Sequence, residues 1–516
     1  MGAPVGPGAL RLTGAFRLHA MQQPAPAARG AEAFAFAAVA SLYLLAVYSS
    51  VLSASYGFLD DYAFLFHAAR GVGGPNPLFD GRPLYALWNR ATFTLAGDIA
   101  GLVWLRVVSL AGILAFATAM FRALREVGWR RVEAAALSLL VSSGLPFGVY
   151  AAWAATAQVP WAFLVAFLGG RAAWNAGAAP RGRRVVPAIV SALAVITALC
   201  LHQSAAPAFW LYIAFRACGS DRPTPDVLRR ACVALGCFAA SSLVYFAGFQ
   251  LARQVLRPAL PSRSSLAFDP LEKLAWFVQE PLRYVASLGS VLHGGALEVV
   301  VIATVASTIA SGILLRGRRL GQPVTTALVA LALLPLAHLP HLVLHEEGTT
   351  FRTLGSLHAV VSFLFVLGVR EMLHRVSLDR SRTAAALLVS LALVAGDSTR
   401  SRVREGLVTP QVRELELLRA HLAEHLRSPP TKLVFRRPFP GSSLSRYGRA
   451  EFGLVSTAWP WVPAPLISLL LRERDGVLPP IEVVQLSPDE PFTPEAGVPF
   501  VDMRRLMEDF RARRHR

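Results

Sequence analysis

Two adjacent carboxylates, Asp60 and Asp61, follow the first long apolar run of the chain, in the stretch SASYGFLDDYAFLFHAARGVGGPNPLFDGRPLYALWNR from Ser53 to Arg90. Neighbours Phe58, Leu59, Tyr62, Phe64, Leu65 and Phe66 would strip water from a carboxyl there. Desolvation raises a carboxylate's pKa and makes it a better general base. The plainer reading is an N-cap and a helix-dipole partner. Arg70, Arg82 and Arg90 follow in the same loop, and Arg352 stands at the start of a later apolar run. A guanidinium at a membrane boundary either snorkels or grips a phosphate with two parallel hydrogen bonds. Arg106 lies inside an apolar run, where an arginine faces a partner or a cavity.

A third cluster is His338, His341 and His345, followed by Glu346 and Glu347. The i, i+3, i+7 spacing puts the imidazoles on one helical face, so a divalent metal held by His341, His345 and Glu346 is one reading, although no HExxH occurs. The alternative is interfacial histidines. His202-Gln203 either hydrogen-bonds sugar hydroxyls or satisfies the backbone of its own turn. Asp60 and Asp61 are therefore the candidate catalytic residues. Tyr62, Arg70, Arg82, His202, Glu346 and Arg352 are the candidate substrate-binding set.

The elements that must position these groups are membrane spans. The chain of 516 residues is 54% apolar with a mean hydropathy of +0.47, above ordinary soluble usage. Ala31 to Leu52 is long enough to cross a hydrocarbon core of about 30 Å. Further apolar runs fall near 99–121, 132–151, 153–170, 185–201, 203–218, 231–251, 291–315, 324–344, 354–371 and 383–397. The net charge of +19 is almost all arginine, placed in short loops of one parity, for example Arg122, Arg125, Arg130 and Arg131, then Arg171, Arg181, Arg183 and Arg184. Positive short loops stay cytoplasmic. The N-terminus is then cytoplasmic and the C-terminus lies on the outer face. The basic charge belongs to topology, so no nucleic acid is expected as partner.

The expected fold is an all-α polytopic membrane protein of about 11 transmembrane helices, with a small mixed α/β soluble C-terminal domain. A tail (1–30) precedes the membrane domain (31–397). The last part (398–516) carries an amphipathic helix, VRELELLRAHLAEHLR, the strand-like TKLVF and IEVVQL, and a terminal helix VDMRRLMEDF. Cys200, Cys218, Cys232 and Cys237 form no CxxC and read as buried hydrophobes. The absence of GxxxxGK[ST], GxSxG and GxGxxG leaves an ATP pump, a nucleophile-elbow hydrolase and a dinucleotide enzyme without support.

The combination of a first span leading into an outer loop with Asp-Asp, LDDYAFL with GRPL some twenty residues on, the turn EEGTTFRTLGSL and the late stretch RAEFGLVSTAWPWVPAPL resembles the GT-C class of integral-membrane glycosyltransferases. More narrowly it resembles the Gtr-type O-antigen glucosyltransferases and their uncharacterised bacterial relatives. The resemblance implies a polyprenyl-phosphate-linked sugar as donor and a glycan or lipid-linked acceptor, with Asp60 or Asp61 deprotonating the acceptor hydroxyl, Arg352 binding the donor phosphate and Arg82 assisting. Inverting displacement needs one base, an in-line acceptor and neutralised charge on the departing phosphate, and no cofactor. The competing reading is a transporter or flippase of a lipid-linked or polyanionic substrate, with Arg106, Gln158 and the histidines lining a path.

Overall fold

The computed structural model describes residues 26–72, 81–218, 224–256, 269–286, 299–307, 321–345, 347–376, 380–441, 444–445, 447 and 450–514. The tail up to residue 25, most of the apolar run 291–315, Arg222, the cluster Arg316, Arg318 and Arg319, and Glu346 lie outside them.

The described chain is mostly helical. Helix α1 (Pro26–Leu52) is followed by two short helices, α2 (Asp60–Ala69) and α3 (Pro83–Ala96), and by α4 (Leu102–Glu126). Among the described residues, three helices are long and apolar enough to cross a membrane: Gly30–Leu52, Leu102–Glu126 and Pro225–Val255. At 1.5 Å per residue each exceeds the hydrocarbon thickness. A fourth span arises if α5 (Arg131–Ser142) and α6 (Leu145–Ala152), bent by 57° at their junction, cross as one. Shorter apolar helices run over Val185–Leu201, Ala327–Leu336 and Gly355–Arg370. The chain is a multi-pass membrane protein. Phe34, Leu42, Leu243 and Val255 stay exposed on the long helices, as lipid-facing side chains do.

Helices α1 and α4 run antiparallel. Glu32 near the start of α1 takes Arg125 at the end of α4 (3.1 Å), and Arg106 near the start of α4 reaches the residues just after α1. The Glu32 end also gathers the pairs Arg171–Glu126 (2.8 Å) and Arg370–Glu133 (3.5 Å). Charges from several of the predicted cytoplasmic loops thus meet at one end of the bundle. The acidic pair sits at the other.

The helix break between α5 and α6 has a local cause. A Cβ on Gly144 would stand 2.1 Å from Nε2 of His358, so this ring can lie against the backbone only where the side chain is missing. After α6 the chain leaves α-helical geometry from Trp153 to Gln158, with a single 3-10 turn at Ala154–Thr156, before α7 (Val159–Ala178) begins. Irregular backbone at such depth is tolerated only where protein satisfies it.

The helix Arg380–Arg402 does not end at the expected domain boundary of residue 397. It continues through a π-helical turn, Val403–Val408, into Thr409–His425. Gly406 admits Phe452 at this turn, since a Cβ would meet the ring at 2.7 Å. The last apolar helix therefore carries the C-terminal segment directly. Beyond it, β1 (Lys432–Arg436), β2 (Glu482–Leu486) and β3 (Phe500–Asp502) form a parallel sheet of order β2-β1-β3. TKLVF and IEVVQL are strands as expected. The terminal helix starts at Met503, because Val501 and Asp502 pair with Phe435 and Arg436.

Candidate active site

Asp61 is fully buried and has both oxygens occupied. Oδ2 accepts from the Phe58 N–H (2.9 Å) and Oδ1 from the Ala155 N–H (2.7 Å) in the irregular segment after α6. One carboxylate thus ties the first interhelical loop to the helix break. Burial pushes its pKa up to about 7, against the pull of Arg106 and of the two N–H groups. Arg106, also fully buried, donates to the carbonyls of Ala152 (3.2 Å), Val51 (3.4 Å), Ala54 (3.3 Å) and Tyr56, and stacks 3.6 Å over the Tyr56 ring. Its partner is the backbone that delivers the chain to Asp60.

Asp60 points the other way. It is half-buried, and its Oδ1 accepts from Nε1 of Trp461 at 3.0 Å. It is not an N-cap: that position is Leu59, which offers no side-chain oxygen. Leu59 has φ +48, a left-handed conformation that costs a branched side chain about 1–3 kcal/mol and persists only where its surroundings enforce it. The enforcing contact is the Leu59 N–H donating to Oγ of Ser456 (3.0 Å). Among the described residues, only Leu59 and Ala450 are non-glycine residues at positive φ. Each directly precedes a carboxylate, Asp60 and Glu451.

Glu451 anchors the second half of the site. Its oxygens accept from the N–H groups of Phe351 (2.9 Å) and Arg352 (3.2 Å), with the Arg352 guanidinium 3.9 Å away. Arg352 lies 5.0 Å over the Trp153 ring, and its carbonyl accepts from Tyr150 (2.6 Å) and Ser204 (3.3 Å). Arg82 donates to Gln203 (2.9 Å), Gln203 donates to the Tyr245 hydroxyl (2.8 Å), and Tyr245 donates to the carbonyl of Gly81 (2.7 Å). Gly81 has φ +74, and a Cβ there would stand 2.6 Å from that hydroxyl. The GRP sequence is a backbone requirement as well as a source of charge.

The loops of the two arginines meet at Gln203-Ser204, where Arg82 donates to Gln203 and Ser204 donates to the Arg352 carbonyl. Burial, then the charges of Arg82 and Arg352, hold the His202 imidazole well below the ordinary value, so it is neutral, with Nδ1 2.7 Å from Oγ of Ser204. Arg82, Arg352 and Lys273 also act on His341. Tyr85 on α3 senses both Asp60 and Arg82 and packs edge-on against Phe64 of α2. Asp60 is half-exposed, and Arg82 and Arg352 come from separate loops joined at Gln203-Ser204.

Other predicted residues fall elsewhere. The Tyr62 side chain is fully buried, its hydroxyl donating to the Gly57 carbonyl (2.9 Å) and accepting from the Gly57 N–H (3.2 Å). Arg70 caps the far end of α2, about 15 Å along the helix from Asp60. Arg90 is exposed on α3. His345 is exposed, and its carbonyl takes Lys273 (3.1 Å), which also pairs with Glu347 (3.4 Å). His338 and His341 stack 4.8 Å apart at 25°. Among the described residues no three His, Cys, Asp or Glu side chains could share a metal. Glu346, part of the proposed metal set, lies outside them.

Sequence reading missed Glu451, Ser456, Trp461 and Lys273. It also missed the buried pair Gln411 and Glu414, which organises the C-terminal contribution. Ser456 Oγ donates to Gln411 (2.6 Å), while Glu414 accepts from the N–H groups of Ser456 (3.0 Å) and Thr457 (2.8 Å) and from the Thr457 hydroxyl. Burial raises the Glu414 pKa to about 7 although these donors lower it. An unfolded carboxyl near 4.5 releases its proton first, so the stability contributed by this group is complete below pH 4.5 and is lost as pH rises toward 7. Glu414→Gln cannot lose a proton. Its melting temperature relative to the parent should rise between pH 5 and pH 8, by the equivalent of about 3 kcal/mol. Melting followed by tryptophan fluorescence tests this, and a difference independent of pH refutes it.

No family model and no curated protein matches the chain. Among solved structures, it is similar to the single-particle cryo-EM structure of arabinofuranosyltransferase AftD from mycobacteria, at 16% identity and a TM-score of 0.40. That likeness covers 83% of this chain, which spans only 30% of the other.

Proposed function

We propose that this protein is a membrane glycosyltransferase of the GT-C kind, transferring a sugar from a polyprenyl-phosphate donor to a periplasmic glycan or lipid-linked acceptor. The observation that carries the reading is the division of labour within the acidic pair. Asp61 is consumed in holding backbone, whereas Asp60 stays half-exposed, and the loops that carry Arg82 and Arg352 meet at Gln203-Ser204. The LDDYAFL, GRPL and FRTL resemblance points the same way.

In the reaction, the acceptor hydroxyl oxygen attacks the anomeric carbon and Asp60 takes its proton. The bond from that carbon to the phosphate oxygen breaks, and the phosphate leaves with the electron pair. Arg82 and Arg352 meet the charge that develops on it. Asp61 fixes the loop that carries the base. The site would face the periplasm of a bacterial inner membrane, with the N-terminus cytoplasmic and the C-terminal segment on the side of the reaction. A transport path has less support, since Arg106, the deep charge it would use, is occupied by four carbonyls.

Purified protein in lipid nanodiscs, supplied with a polyprenyl-phosphate hexose and envelope polysaccharide from a strain lacking the protein, should transfer the hexose. A nucleotide sugar offered alone should give no product. Turnover from the nucleotide sugar alone would overturn the donor assignment.

A further inference from the structure

The loop that closes the site from the C-terminal side ends in two tryptophans. Trp459 and Trp461 lie 5.2 Å apart at 39°, at the tip between the Ser456–Ala458 turn and the helix Pro463–Asp475, which packs on α2. Trp459 is half-buried and backs the pair. Trp461 is 42% exposed, yet its position is fixed, because its indole N–H donates to Asp60 Oδ1 at 3.0 Å. A tryptophan serving as an interfacial anchor directs its N–H to headgroup level. Here the polar edge is satisfied by a carboxylate of the site, and the ring remains available.

The backbone under this pair is built with equal care. Ser456 and Thr457 are pinned by Gln411 and Glu414, and the Arg437 guanidinium donates to the carbonyl of Ala458 (3.2 Å). A membrane-embedded hydrophobic contact needs no such buried polar scaffold. A surface that must hold one ring at one place relative to Asp60 does. A sugar ring presents a face of C–H groups and a rim of hydroxyls. An open aromatic ring takes the face, and a carboxylate hydrogen-bonded to the edge of that same indole stands where a rim hydroxyl would fall.

We propose that Trp461, backed by Trp459, is the platform on which the acceptor's sugar ring stacks, delivering one hydroxyl to Asp60. This rests on the glycosyltransferase reading above and extends it to the acceptor. Trp461 then does two things: its ring binds the acceptor and its N–H orients the base.

Two substitutions separate those roles. Trp461→Phe keeps a ring and removes the N–H, while Trp461→Ala removes both. The probe is the oligosaccharide mixture released by mild acid from the envelope polysaccharide of a strain lacking the protein, titrated against the full chain in nanodiscs by calorimetry. Trp461→Ala should weaken binding by about tenfold, and Trp461→Phe by no more than about threefold. In turnover, Trp461→Ala should raise the acceptor KM and leave the donor KM unchanged, while Trp461→Phe should lower kcat and shift its pH profile with little effect on acceptor KM. Asp60→Asn should still bind the oligosaccharides. Active Asp60→Asn would remove the assigned base and leave the platform to be judged by the Trp461 titrations. Wild-type protein that does not bind the mixture, or Trp461→Ala that binds it like the parent, would overturn the platform.

Discussion

Asp60→Asn should lower sugar transfer by about 10²–10⁴-fold, the usual contribution of a positioned general base, with melting temperature and protein level unchanged. Asparagine has the size of aspartate and keeps an oxygen to accept from Trp461 Nε1, so the contact to the C-terminal loop survives. What it loses is the capacity to take a proton. Donor and acceptor KM should therefore move little while kcat falls. The informative comparison is Asp61→Asn. Asp61 accepts N–H groups on both oxygens, and an amide can accept on only one, leaving an NH₂ facing either Phe58 N or Ala155 N in a fully buried place. One buried unsatisfied donor costs about 1–3 kcal/mol, so this variant should lose protein level along with activity. Transfer rates and melting curves on the same preparations read both. A stable, inactive Asp61→Asn beside a fully active Asp60→Asn would exchange the two roles.

Much of this site is legible in the chain because it is local. The apolar run ending at Leu52, the acidic pair after it, and a glycine before Arg82 each announce a structural event within a few residues, and the structure puts a helix end, a helix start and a left-handed turn at those points. The strands Lys432–Arg436 and Glu482–Leu486 were legible through their β-branched residues. The partners that give the pair its asymmetry were not. Ser456 reaches Leu59 across 397 positions, and Trp461 reaches Asp60 across 401. A serine or tryptophan in such a loop has no local pattern that names its partner. Tyr62 shows the opposite failure. Its type and place next to Asp61 fit substrate contact, but the open space beside Gly57, where a Cβ would stand 2.7 Å from the phenol ring, draws the side chain inward. Arg106 was legible as a costly intramembrane charge. That it is paired by carbonyls left open where α1 and α6 end depends on tertiary packing alone.

The remaining large effect concerns Arg352 and the glutamate behind it. Arg352→Ala should reduce kcat/KM for the donor by about 10²–10³-fold, the loss expected when one preorganised donor is removed from a developing oxyanion. Arg352→Lys should recover only part of this, because an ammonium keeps the charge but lacks the planar fork that binds two phosphate oxygens. The guanidinium is held indirectly. Glu451, 3% exposed, fixes the backbone at Phe351 and Arg352 through two N–H acceptances, and Tyr150 closes the Arg352 carbonyl from below. Glu451→Gln leaves one of those N–H groups without an acceptor and removes the negative charge 3.9 Å from the guanidinium. It should lower donor kcat/KM by about tenfold through a displaced arginine, leaving acceptor affinity as in the parent. The double variant Arg352→Ala with Glu451→Gln then tests the dependence. If Glu451 acts through Arg352, the double variant is no worse than Arg352→Ala alone, whereas two independent losses multiply.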